Sequence, residues 1–222
     1  MSNTAIILGA TGLTGGLLTE LLIKDDTFSK IKLISRRATG FKHPKVEDII
    51  CDVLAMDTIK SQFTADVVFC CIGTTKAKTP DRDLYYKIDH GIPTAAAGLA
   101  KENNIPTFMV ISSAGTSTKS PFFYVRTKGE MERDVLDIAV QNTYIMKPAF
   151  INGRPNEERK GEKALKKLMA ISDFLMVGPL KKYRSVMATD IAKAMAFLAT
   201  HHLAHNNILN QEIKTLSAQY ES

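Results

Sequence analysis

Tryptophan is absent from the 222-residue chain, and cysteine occurs three times, as Cys51, Cys70 and Cys71. An odd, sparse set with two adjacent members excludes a disulfide-stapled scaffold, and its spacing is not that of metal ligands. No metal site is therefore expected, and cysteine usage points to a reducing compartment, with a cytoplasmic location as the expectation. No apolar run approaches the length of a membrane span, so no span is expected. The first apolar run follows Ser2-Asn3-Thr4 and is broken by Gly9, which is unlike a signal peptide. Internal repeats, low-complexity tracts and interdomain linkers are also missing. Acidic residues are outnumbered, 23 against 29 Lys and Arg, for a formal charge of +6. That positive charge is dispersed, so no nucleic-acid partner is expected, and an anionic ligand accounts for part of it.

What is present is a globular composition, 45% hydrophobic and 23% charged, with length enough for one domain or one domain and a small appendage. The chain opens on Thr4–Leu18, TAIILGATGLTGGLL. A β-type run, Ala5–Leu8, stops at Gly9; Gly12 and Gly15 follow at three-residue intervals; a helical pattern then begins with Leu17, Leu18, Leu21 and Leu22. A strand, a glycine turn and a helix N-terminus together make a site for a dinucleotide pyrophosphate, because small residues admit the phosphates and the helix offers free N–H donors. Gly9, Thr11, Gly12, Leu13, Thr14 and Gly15 are the candidate contacts. The spacing is G-x-x-G-x-x-G rather than the commoner G-x-G-x-x-G.

Strand-like runs recur at Ala5–Leu8, Ile31–Ser35, Val46–Cys51, Val67–Cys71, Thr107–Ser112 and Thr143–Lys147. Between them Leu13–Lys24, Met56–Phe63, Asp83–Asn103 and Lys128–Ala139 read as helices. Such alternation predicts an α/β fold: a Rossmann-type, doubly wound parallel sheet with ligands at the C-terminal strand ends. The expectation is one NAD(P)-binding domain over residues 1–222, with 151–222 contributing a small helical C-terminal lobe.

The second strand ends Ser35-Arg36-Arg37. Folds that prefer NAD carry an acid here to bond the ribose 2′-OH; two guanidinium groups and a hydroxyl suit a 2′-phosphate instead, so NADP(H) is the expected cofactor. Asp52-Val53 follows the third strand, where an Asp also caps turns. The fourth strand ends in Cys71-Ile72-Gly73-Thr74, small residues that let a cofactor approach; neither Cys70 nor Cys71 has an evident base beside it. His90 reads as structural, and the Ala95-Ala96-Ala97-Gly98 surface suits close packing against the sheet or a second subunit. The fifth strand leads into Ser112-Ser113, and Tyr124 and Lys128 follow at helical i, i+4 spacing. A cation on that face favours a phenolate, readying the tyrosine to exchange a proton with a carbonyl or alcohol oxygen, which a serine hydroxyl at the strand end can hold.

With GATGLTGGLL, LISRR, CCIGTT, ISSAG, YVRTKGEME and KPAFINGRP in place, the chain resembles the atypical short-chain dehydrogenase/reductases over essentially its whole length. It is particularly similar to the NAD(P)H-binding family that includes the human Tat-interacting protein. The resemblance implies Tyr124, Lys128 and Ser113 or Ser112 as proton-transfer groups. It implies Asp52 and Val53 beside the adenine, and Pro148, Ala149 and Phe150 along the nicotinamide pocket. The short Ser-to-Tyr interval implies an abbreviated substrate wall. Two functions follow: an NADP(H)-dependent oxidoreductase acting on a small carbonyl or alcohol substrate, or a non-catalytic NADP(H)-binding regulator working through protein association. A homodimer or a regulatory protein partner stays open alongside the small molecule.

Beyond Gly153 the alternation fades. Arg154–Lys167 is highly charged and reads as a solvated face, with Ala164–Met169 as an amphipathic helix. Met169, Phe174, Leu175, Met176 and Leu180 are candidate pocket or interface walls. Ala188–Leu203 reads as a further helix with His201, His202 and His205 at its end, and Ile208–Leu216 as a short final strand.

Overall fold

The computed structural model describes residues 2–153 and 185–220. The chain runs β1 (Asn3–Leu8), α1 (Leu13–Lys24), β2 (Phe28–Ser35), β3 (Val46–Ile50), a 3₁₀ segment (Met56–Gln62), β4 (Val67–Cys70) and α2 (Arg82–Tyr86). A π turn (Lys87–Gly91) then leads into α3 (Ile92–Glu102), β5 (Thr107–Ile111), α4 (Phe123–Asp137) and β6 (Asn142–Lys147). The last described elements are β7 (Phe150–Asn152), β8 (Ser185–Met187), α5 (Ala188–Leu198), β9 (Asn207–Leu209) and α6 (Asn210–Tyr220). Seven strands form one sheet in the order β3-β2-β1-β4-β5-β6-β9, every pair parallel, and β7 and β8 form a small parallel pair of their own. This is the doubly wound Rossmann-like arrangement expected from the strand–helix alternation.

Period-2 alternation along the strands explains both faces. Ile7, Leu33, Phe69 and Tyr144 point to one side, against Leu18 and Leu22 of α1 and Ile191, Met195 and Leu198 of α5. Ile6, Leu8, Val68, Phe108 and Ile145 point to the other, against Ile59, Phe63, Ala96, Met131 and Val135. With helices over both faces, the strands need no polar side, which is why they read as nearly continuous apolar runs. Lys32 is the charged residue buried on β2. Its ammonium donates to the carbonyls of Gln62 and Thr64 and to the Thr64 hydroxyl, satisfying the end of the 3₁₀ segment.

Several boundaries differ from expectation. The segment Met56–Gln62 is 3₁₀ rather than α. Helix α4 begins at Phe123, five residues before Lys128, so Tyr124 lies in its first turn. Helix α5 stops at Leu198, short of His201, His202 and His205. The expected final strand Ile208–Leu216 is corrected. Only Asn207–Leu209 joins the sheet, and Ile213 and Leu216 are buried residues on helix α6 at i, i+3 spacing. The expected helix over Ala164–Met169 and the candidate walls Met169, Phe174, Leu175, Met176 and Leu180 lie outside the described residues.

One irregularity has a local cause. The helical run from Arg82 to Glu102 contains the π turn Lys87–Gly91, closed by the Ile92 N–H donating to the Lys87 carbonyl. Pro93 follows at once; it has no N–H for the Asp89 carbonyl four residues back, and its ring crowds that carbonyl. A wider turn relieves the clash. The Thr94 hydroxyl donates to the next carbonyl, that of His90, at 2.8 Å.

Candidate active site

The strand order reverses beside β1, and the crevice between the C-terminal ends of β1 and β4 is where an open α/β sheet takes its ligand. Gly9 stands at the end of β1 with φ +89°, and a Cβ on it would lie 2.9 Å from the Cys71 carbonyl carbon and oxygen. No side chain fits there, so the turn packs directly on the backbone leaving β4. The Gly12 N–H donates to the Gly9 carbonyl at 2.9 Å, and a Cβ on Gly15 would come within 2.3 Å of that same oxygen. Helix α1 therefore starts hard against the strand end. Its N-cap, Gly12, provides no side-chain bond, and no acid lies in its first turn. Thr11 and Gly12 are exposed, Leu13 is half-buried and Thr14 is buried.

Arg36 and Arg37 are exposed at the end of β2, and neither forms an ion pair among the described residues. The half-buried Ser35 donates its hydroxyl to the Arg37 carbonyl and fixes that turn. Val53 is buried, while the exposed Asp52 accepts a hydrogen bond from the Leu54 N–H at 3.0 Å and so caps its own turn. An uncapped helix N-terminus, a glycine turn with no room for side chains and two guanidinium groups without an ion pair among the described residues fit a dinucleotide.

At the other end of the crevice Cys71, Ile72 and Thr74 are half-buried and Gly73 is exposed. Burial pushes the Cys70 thiol up to about 11 and the Cys71 thiol higher still, so both stay protonated and neither is an activated nucleophile. Beside Gly73 lies a group that sequence reasoning missed. Asp89, carried on the π turn, is completely buried, and the Lys128 ammonium lies 2.7 Å from its Oδ1, an ionic contact without hydrogen-bond alignment. Its Oδ2 accepts from the Thr74 N–H at 3.1 Å. Lys128 also donates to the Ile111 carbonyl at the end of β5, 3.3 Å away. Tyr124 is half-buried, with Tyr85 edge-on to its ring at 4.8 Å between centroids. Burial first, then the Asp89 charge, hold the Tyr85 hydroxyl far above its usual range.

The two serines part company. Ser112 is buried and its hydroxyl donates to Glu132 of α4, while Ser113 is half-buried and makes no such bond. Pro148 is buried, its carbonyl accepting from the Ala114 N–H, and Phe150 is exposed on β7. His90 donates through Nε2 to the Asp134 carboxylate at 2.7 Å and stacks on Tyr86, a strut between the π turn and α4. No group of metal-binding side chains occurs among the described residues.

Comparison with known proteins bears directly on this geometry. A family profile described as NAD(P)H-binding matches residues 9–173. The chain is 36% identical over 152 residues to Protein FMP52, mitochondrial, of Meyerozyma guilliermondii, a match covering 67% of this chain and 65% of that one. The chain belongs to the NAD(P)H-binding family. Within it, Protein HTATIP2 of Rattus norvegicus is 31% identical over 167 residues, covering 73% of this chain and 69% of the relative. The matched part thus spans slightly less than two thirds of the fungal relative. The fold is similar to that of the Bordetella bronchiseptica enzyme WbmH in complex with NAD⁺, with a TM-score of 0.68 and 16% identity, over 92% of this chain and 74% of that one. At that identity the likeness is one of fold.

The expected cytoplasmic location is overturned by these relatives, since the fungal family member carries a mitochondrial designation. The physical reason is plain. Three free thiols fit a reducing environment, but they do not distinguish one such compartment from another. Among the described residues no helix is long and apolar enough to cross a membrane.

Proposed function

We propose that this NAD(P)H-binding family member is an NADP(H)-dependent oxidoreductase of the short-chain dehydrogenase type, acting on a small carbonyl or alcohol. The observation that carries the reading is a half-buried Tyr124 on α4 with Lys128 four residues on, its ammonium held by Asp89 of the π turn and by the Ile111 carbonyl at the end of β5. When bound, the nicotinamide supplies or accepts a hydride; the remaining chemistry falls to the protein. The N-terminal N–H groups of α1, with Thr11, Gly12 and Leu13, hold the pyrophosphate, and Ser35, Arg36 and Arg37 hold the 2′-phosphate. Asp52 and Val53 flank the adenine. Cys71 through Thr74, Pro148 and Phe150 border the nicotinamide half. Tyr124 gives or takes the proton at the reacting oxygen, and Ser113 orients that oxygen by hydrogen bonding. Lys128, held by Asp89 and the Ile111 carbonyl, places its charge beside Tyr124 and bonds the ribose.

One observation favours a second reading, a cofactor-binding regulator with little turnover: the Lys128 charge is already met by a buried carboxylate. A titration of NADPH and NADH into wild type, Arg36→Ala and Tyr124→Phe, followed by a carbonyl screen, separates them. The oxidoreductase requires NADPH preference that falls in Arg36→Ala, and turnover lost in Tyr124→Phe with binding kept. Tight NADPH binding without turnover on any carbonyl supports the regulator, and failure to bind either nucleotide refutes both.

A further inference from the structure

The groups proposed for proton transfer and for the nicotinamide wall come from three separate segments: Ser113 after β5, Tyr124 and Lys128 on α4, and Pro148 after β6. Glu132, one turn beyond Lys128 on α4, touches all three through their neighbours. It is only 8% exposed. Its Oε1 accepts from the hydroxyls of Ser112 and Thr116, the latter at 2.7 Å, and its Oε2 accepts from the Lys147 ammonium at 2.7 Å. Ser112 immediately precedes Ser113, and Lys147 immediately precedes Pro148. The loop carrying Thr116 is pressed onto the same helix, since a Cβ on Gly129 would fall 2.5 Å from the Ser117 carbonyl carbon.

A buried ion pair of this kind is a poor source of stability, because desolvating two charges offsets most of their attraction and an apolar pair often serves as well. What it provides that an apolar pair does not is direction: three charge-assisted bonds tie the β5–α4 connection and the end of β6 to one carboxylate on α4. We infer that Glu132 is a positioning residue, holding Ser113 and Pro148 in register with Tyr124 and Lys128 without itself touching substrate or cofactor. This inference rests on the dinucleotide reading above, and its test is built to fail separately from it.

The test compares calorimetric binding of NADP⁺ with that of 2′-phospho-ADP-ribose, which keeps the adenine end and lacks the nicotinamide. In Glu132→Gln the dissociation constant for NADP⁺ should rise about tenfold, the worth of one charge-assisted hydrogen bond, and in Ser112→Ala about threefold. Binding of 2′-phospho-ADP-ribose should be unchanged in both. Ser112→Ala leaves no charge unpaired, so it carries the test if Glu132→Gln does not fold. Lower thermal midpoints with both affinities intact would make Glu132 a strut and overturn the inference, as would equal weakening of both ligands. If wild type binds neither, the dinucleotide reading itself falls, and the positioning role with it.

Discussion

The pair between Asp89 and Lys128 invites a quantitative test, because Asp89→Asn removes its charge at almost constant shape. The asparagine carbonyl can still accept from the Thr74 N–H, so that bond is preserved. What is lost is the 2.7 Å ionic contact, leaving the Lys128 ammonium with the Ile111 carbonyl at 3.3 Å. Removing one partner of a buried pair costs about 3–5 kcal/mol. The Lys128 side chain keeps 14% of its exposure, so some water remains to it and the lower end applies, about 3 kcal/mol. For a chain of this size that corresponds to a fall of roughly 6–12 °C in thermal midpoint. The assay is a double-mutant cycle by urea unfolding, with Asp89→Asn, Lys128→Met and the double variant. Because the double variant carries no unpaired charge, it should recover most of the loss of the single ones. An Asp89→Asn protein melting within about 1 °C of wild type, or a double variant as unstable as the sum of the singles, would refute the pair as a coupled unit.

Other expectations follow from the same coordinates. Gly9→Ala places a Cβ 2.9 Å from the Cys71 backbone at a φ of +89°; strain alone costs about 1–3 kcal/mol, and denaturant unfolding should show more than that because neither backbone can yield. The Cys70 thiol, pushed from 9.0 up to about 11 by burial, favours the neutral folded form, so its contribution is complete below pH 9 and lost as the pH rises toward 11. Because the Cys71 thiol is raised as well, urea midpoints measured across that window should drop by more than the equivalent of about 2–3 kcal/mol, and a Cys70→Ala background should remove about that much of the drop. Lys32→Met removes the donor to two carbonyls and a hydroxyl, leaving the end of the 3₁₀ segment unsatisfied, and should cost about 1–3 kcal/mol with no change in nucleotide affinity.

The features legible in the sequence are those decided within a few neighbouring residues. Gly9, Gly12 and Gly15 announce a strand–turn–helix because that unit is closed by its own backbone contacts, and α1 matches Leu13–Lys24 to the residue. The strands were readable because both faces of the sheet are covered, so apolar runs and strands coincide. Asp89 was not, since an acid in a helical pattern looks solvated until the helix α4 brings Lys128 to it. Glu132 escaped for the same reason, and the choice between Ser112 and Ser113 depends on it. At the C-terminal end Ile208, Leu209, Ile213 and Leu216 supply an apolar pattern that begins on a strand and ends on a helix. Only Asn210, buried and accepting from the Ala149 N–H, marks where one becomes the other.

The π turn ahead of Pro93 has a consequence for how this chain tolerates insertions and deletions. Removing one residue between Lys87 and Gly91 would take away the wider turn and leave the Pro93 ring against whichever carbonyl then lay four residues back. The strain would fall on the segment that holds Tyr85 edge-on to Tyr124 and carries Asp89 to Lys128. A single-codon deletion here would thus be felt at the candidate site, whereas the same deletion among the exposed residues of the polar loop Thr75–Asp81 would be absorbed where it fell.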